Sequence, residues 1–114
     1  MVKLRPGFLP RLFSSNENLI IMNSIKELVK NPSPVVVDVR SQWEYEANHI
    51  PGAKNIPLEE VPYKVEEFKS FKSPVVLYCR SGNRSGMAVS ILKQNGVADV
   101  YNGGGLGDVQ FLLN

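Results

Sequence analysis

The chain has 114 residues, 43% of them hydrophobic and 21% charged, a size and balance that predict one soluble core and no second domain. Thirteen basic against eleven acidic residues leave a net charge of +2, which argues against nucleic acid as a partner, since that would call for a basic stripe. The longest apolar runs are strand-sized and predict no membrane span, while a single cysteine and a single histidine exclude an internal disulfide and a zinc cluster, so no metal or cofactor is expected.

Residues 1–17 carry Lys3, Arg5 and Arg11, but Pro6, Pro10 and Arg11 interrupt the continuous apolar stretch that a secretory signal requires. They read as a surface arm without order of its own, or as an extension upstream of a start at Met22, and the protein reads as cytoplasmic. Residues 18–114 are the expected domain. Leu19 to Met22 suggests a short strand. Ser24 and Glu27 have capping-box spacing, Ile25, Leu28 and Val29 give the following helix an apolar stripe, and Asn31-Pro32 ends it.

Val35 to Val39 is a β-branched run whose continuous hydrophobicity predicts a strand buried on both faces, as in a parallel sheet. Ser41 and Glu44 repeat the capping box and open a short helix, with Trp43 and Tyr45 expected to pack. A turn at His49 to Ala53 and a short strand near Lys54 to Ile56 follow. Val61, Val65 and Phe68 then predict a helix over part of 58–70, with Pro62 acceptable only in its first turn. Val75 to Tyr78 is the second continuous strand. Met87, Ala88, Ile91 and Leu92 form a helical face, ended by Gly96 in the left-handed conformation. Val100-Tyr101 is a last strand, followed by Gly103-Gly104-Gly105 and a short apolar tail. Strands alternating with helices predict an α/β domain whose ligand lies beyond the carboxyl ends of the strands, where Asp38-Val39-Arg40 and Cys79-Arg80 fall.

The segment Tyr78 to Gly86, YCRSGNRSG, runs from strand through cysteine and a five-residue loop into a helix. Such a loop turns backbone N–H groups inward and adds the positive end of the helix, with Gly82 supplying a turn at positive φ. With Arg80 and Arg84 adding positive charge, these surroundings depress a thiol pKa and would equally stabilise the anionic sulfur of a persulfide. A lone cysteine at a strand end is more often an inert small hydrophobe. Two arginines and a glycine turn directly after it argue for a reactive one. Ser81 and Ser85 are candidate anion donors, and Ser85 is also a candidate helix cap. His49 has the chemistry of a base, but its place in a turn favours a structural hydrogen bond.

VVVDVR (35–40), ANHIPGAKNIP (47–57) and VVLYCRSGNRSG (75–86) occur in an order that resembles the rhodanese family over nearly everything from residue 19 onward. The resemblance implies a rhodanese-like α/β domain with a central five-stranded, mainly parallel sheet flanked by helices, and Cys79 cycling between thiol and persulfide. Arg80, Ser81, Gly82, Asn83, Arg84 and Ser85 would bind a small sulfur donor such as thiosulfate, and a thiol or protein would accept the sulfur. Asp38 and Arg40 are read as supporting residues, a pair bracing the loop, with ligand contact as the alternative. Asn48 stands where the family usually has glycine, a mild change since Asn tolerates the left-handed region. Leu106-Gly107 stands where a tryptophan and a longer terminal helix are common, which bears on how the rim closes. Phosphatases of this fold use a C-x5-R loop, one residue longer than the Cys79–Arg84 spacing. A non-catalytic module that binds a partner or senses redox state is the reading from another class.

Overall fold

The β-branched run after Pro34 forms strand β1 (Val35–Asp38) in a computed structural model that describes residues 33–113. It is joined by β2 (Lys54–Asn55), β3 (Val75–Cys79) and β4 (Val100–Gly105) in the order β2-β1-β3-β4, and every pairing is parallel. The helices are α1 (Gln42–Ala47), α2 (Val65–Ser70), α3 (Asn83–Gln94) and α4 (Leu106–Leu113), with a 3-10 helix at Leu58–Tyr63. Among the described residues the sheet therefore has four strands, against the five that the family resemblance implied. The strand expected at 19–22 and the helix opened by Ser24 and Glu27 lie outside the described residues, as does the arm at 1–17. Among the described residues no helix is long and apolar enough to cross a membrane.

β3 is buried at every position, as its uninterrupted apolar sequence requires of a strand covered on both faces. Its register with β1 sets Asp38 beside Tyr78, so the ends of both strands reach the same edge of the sheet. One face carries the main core, in which Phe68 of α2 and Ala88, Val89 and Leu92 of α3 pack on Val37, Leu77 and Cys79. A smaller cluster of Ile50, Ala53, Tyr78 and Val109 fills the other face.

Five local expectations need correction. Pro62 does not sit in the first turn of a single helix. Lacking an N–H, it is taken into the 3-10 segment, and the α-helix restarts at Val65, which still leaves Val61 and Phe68 buried. Met87 is 58% exposed, because α3 turns Ser85, Ala88, Val89 and Leu92 inward instead. Trp43 is 73% exposed, two residues from Tyr45 and hence on the opposite side of a six-residue helix whose Tyr45 side packs inward. The glycine run lies inside β4, and the expected apolar tail is α4, whose Val109 and Leu112 are buried. Asp108 accepts from the Gly105 N–H at 2.8 Å, one half of a capping box, and so starts that helix. Asn48 has an extended backbone (φ −170°) and makes no use of the left-handed region.

Leu92 is fully buried between α3 and the sheet. Leu92→Ala should cost about 2–5 kcal/mol, as lost transfer energy plus a cavity, read as a lower midpoint in urea unfolding with the slope unchanged.

Candidate active site

Cys79 ends β3, and only Arg80, Ser81 and Gly82 separate it from α3, two residues fewer than the sequence suggested. The chain reverses this sharply because Gly82 adopts φ 98°, in the region a side chain disfavours. The turn aims the Gly82 N–H at the sulfur, 3.0 Å from Sγ. Ser85 is the third residue of α3, where backbone N–H groups have no partner within the helix, and its N–H lies 3.5 Å from the same sulfur. The Ser85 hydroxyl adds a contact at 3.4 Å. Cys79 is 0% exposed, so the protein, not water, supplies these partners. Burial pushes the Cys79 thiol up. The Ser85 hydroxyl and the N–H groups of Ser85, Ser81 and Gly82 outweigh that, and the net direction is downward.

The two arginines of this segment part company. Arg80 is exposed next to the nucleophile, as are Ser81 and Asn83. Arg84 turns away to α1, donating from Nη1 to Glu44 Oε1 at 2.8 Å and from Nη2 to Oε2 at 3.1 Å. Glu44 is also the capping partner of Ser41, accepting from its N–H at 3.1 Å and its hydroxyl at 2.9 Å. Chiefly through Arg84, and despite its desolvation, the Glu44 carboxyl is lowered to about 2. The Cys79 sulfur in turn helps to hold the Arg84 guanidinium in its charged form.

Asp38 and Arg40 lock each other. Arg40 Nε donates to both carboxylate oxygens at 3.0 Å, Nη2 reaches Oδ2 at 2.7 Å, and the Arg40 backbone N–H reaches Oδ1 at 2.8 Å. Nη2 also bonds the Asn48 carbonyl, tying the end of β1 to the turn after α1. His49 is held in that turn by Nδ1 against the Tyr45 carbonyl at 2.7 Å, with its ring stacked on Tyr45.

Sequence reasoning missed two residues. Glu44 was read only as a helix cap, although an acidic residue there and an unpaired arginine in the loop form a natural couple. Asn102 carried no signal, since only the register of β4 brings it to the loop. It accepts from the Ser85 hydroxyl at 2.7 Å and donates to the Gly82 carbonyl at 3.0 Å. β4 approaches so closely that a Cβ on Gly105 would lie 2.3 Å from the Arg80 carbonyl oxygen.

Residues 22–106 match the family model described as a rhodanese-like domain. The chain is 40% identical over 74 residues to thiosulfate sulfurtransferase PspE of Escherichia coli, covering 64% of this chain and 71% of that protein. It is 43% identical over 67 residues to uncharacterized protein YqhL of Bacillus subtilis, covering 59% of this chain and spanning about half (52%) of that relative. Among solved structures, a rhodanese with anions from E. coli superposes with a TM-score of 0.61 at 39% identity, over 67% of this chain and 91% of that one.

The Arg84–Glu44 pair has a pH signature. Because the folded carboxyl lies below its unfolded value, its contribution to stability is full above the ordinary glutamate range and fades as pH falls toward about 2. Glu44→Gln should remove that component, so the unfolding midpoints of wild type and variant should converge between pH 4 and 2, roughly the interval over which a lowered carboxylate titrates. A gap that stays constant across that interval would contradict the pairing.

Proposed function

Because this chain belongs to the rhodanese-like domain family, we propose that it is a sulfurtransferase that carries sulfane sulfur as a persulfide on Cys79. The observation that supports this most directly is the convergence of the Gly82 and Ser85 N–H groups on a sulfur whose pKa is lowered. In thiosulfate the Cys79 thiolate attacks the outer sulfur, a new S–S bond forms, and the bond to the sulfonate sulfur breaks, so that sulfite leaves with the electron pair. The negative charge then resides on the terminal sulfur of the persulfide, within reach of the loop amides. An acceptor anion, cyanide in an assay or a thiolate in the cell, attacks that terminal sulfur and restores the Cys79 thiolate. With one cysteine in the chain, the acceptor is external. Arg80, exposed beside the nucleophile, is the residue to meet the incoming sulfonate, with Ser81 on the same exposed turn and Asn83 exposed at the start of α3.

A phosphatase reading fares worse on the same geometry. The loop is one residue short of C-x5-R, and Arg84, which such an enzyme would direct at the oxyanion, is engaged by Glu44. A module that only binds a partner has no use for a depressed thiol; a redox sensor does, and it would differ in taking no sulfur from thiosulfate.

The covered sulfur implies that the segment Arg80 to Gly82 moves aside to admit a donor. Incubation with thiosulfate should add one sulfur atom to the intact mass of the wild-type chain and none to Cys79→Ser, whose hydroxyl has no accessible anion at neutral pH. Turnover by Cys79→Ser within tenfold of wild type would sink the assignment.

Substituting the arginines should separate their roles. Arg80→Ala should mainly raise the KM for thiosulfate, by the roughly 1–3 kcal/mol of a charge-assisted hydrogen bond. Arg84→Ala should lower kcat and move thiol alkylation to higher pH, since it removes a cation that favours the Cys79 thiolate. Identical kinetic changes in both variants, with no shift in alkylation, would refute the division of labour.

A further inference from the structure

Asn102 lies on β4 where the register with β3 slips: Leu77 pairs with Asn102, but Tyr78 pairs with Gly104, leaving Gly103 as the extra residue of a bulge. The bulge turns the Gly104 N–H onto Asn102 Oδ1 at 2.9 Å, while Nδ2 donates to the Gly82 carbonyl at 3.0 Å. A backbone N–H only donates and a carbonyl only accepts, so the amide has one orientation. The atom that faces the Ser85 hydroxyl at 2.7 Å is therefore an acceptor, and it takes the single hydrogen Ser85 has to give. Ser85 then presents lone pairs to Cys79 Sγ, 3.4 Å away. That arrangement suits a thiol, whose S–H donates to the Ser85 oxygen. It does not suit a thiolate, which needs the same hydrogen.

We propose that Asn102 is a positioning residue that competes with Cys79 for the Ser85 hydroxyl hydrogen and so limits how far the thiol is acidified. The Gly82 and Ser85 N–H groups favour the thiolate whatever its neighbours do, because neither can rotate away. The Ser85 hydroxyl favours it only by leaving Asn102. A thiolate stabilised too far becomes a poor nucleophile, since nucleophilicity falls with basicity and the best attacking thiol has a pKa near the working pH. Resting on the sulfurtransferase reading, the same device serves the loaded state. The persulfide Sγ is a neutral bridging sulfur, so the Ser85 hydrogen returns to Asn102 and the charge is left at the terminal sulfur, where an acceptor attacks.

The seat is built for this amide. A Cβ on Gly86 would sit 3.2 Å from Asn102 Nδ2, so glycine at that position leaves room for the side chain. The Gly82 carbonyl also accepts from the Gly86 N–H at 2.9 Å, so the turn keeps a hydrogen bond when the amide is removed. Among the described residues the charged groups around the sulfur are Arg80 and Arg84 beside it, Glu44 on α1, Asp38 and Arg40 at the end of β1, and Asp108 at the start of α4. They are common to every variant below, and comparison within a mutant cycle cancels them.

The test is the pH dependence of Cys79 alkylation by iodoacetamide in wild type, Asn102→Ala, Ser85→Ala and the double variant. Asn102→Ala should move the profile to lower pH by about one unit, the scale of a hydrogen bond to a charged group. Ser85→Ala should move it to higher pH, and adding Asn102→Ala to Ser85→Ala should change nothing more. An equal shift in both backgrounds, or no shift in either, overturns the proposal. Should Asn102→Ala fail to fold, the side-chain amide resonances of Asn102 in the wild-type chain carry the test. They should follow the thiol titration and lose most of that response in Ser85→Ala, and an undiminished response overturns the proposal. Alkylation involves no sulfur transfer, so a coupled cycle in a chain that takes no sulfur from thiosulfate defeats the proposed function alone.

Discussion

A sulfur at the end of a strand buried on both faces is out of reach of water, and every partner that stabilises its anion has to be protein. That constraint explains the local architecture after β3. The helix must begin almost at once, because only its first turn offers unbonded N–H groups, and Ser85 brings one of them to 3.5 Å. The turn between must fold back tightly, which Gly82 makes possible, and its own N–H becomes the shortest contact to the sulfur. Even the inward face of α3 follows from this. Ser85 is drawn to the sulfur, Ala88, Val89 and Leu92 fall in line beneath it, and Met87 is carried to the surface.

Two ion pairs hold the surroundings of that sulfur, and α1 links them. Arg40 ties β1 to the turn that follows α1, and Glu44 ties the first turn of α1 to the first turn of α3. The Asp38–Arg40 pair is buried, and burying charge carries a desolvation penalty that attraction only partly offsets. Its value lies in geometry. Breaking either half would leave an uncompensated charge, so the end of β1 has one favoured arrangement. The Glu44–Arg84 pair is more open to solvent, and it keeps a cation near the thiol without leaving it free to swing.

What could be read in the sequence is what local pattern determines. Val35 to Val39 and Val75 to Tyr78 announced their strands through unbroken hydrophobicity. Ser41 with Glu44 announced a helix start, and the structure forms that capping box in full. Gly96 stops α3 at positive φ as its position suggested. The failures share a different cause. Gly103-Gly104-Gly105 looked like a break because glycine disfavours strands, yet these residues continue β4, where a Cβ on Gly103 would strike Val76 and Val109, one on Gly104 would strike Asp108, and one on Gly105 would strike the Arg80 carbonyl. Asn102 became visible only once the bulge fixed its register, and the Glu44–Arg84 pair joins residues forty positions apart. Both are tertiary facts with no periodicity of their own.

Beside the Asn102 side chain, β4 meets the active loop backbone on backbone, and the glycines packed this closely make an unusual map of tolerance. A methyl group on Gly105 would strike the Arg80 carbonyl, and one on Gly103 would strike Val76 and Val109 at less than 3 Å. In a saturation library selected for function, these positions should look as intolerant as the nucleophile itself while performing no chemistry. Their hydrogen-exchange behaviour should also be tied to the loop, because Gly104 and Gly105 meet Gly82 and Arg80 backbone to backbone, with little slack to absorb a displacement. An opening of the turn over the sulfur would therefore be felt first in the amides of β4, across the seam from where a donor enters.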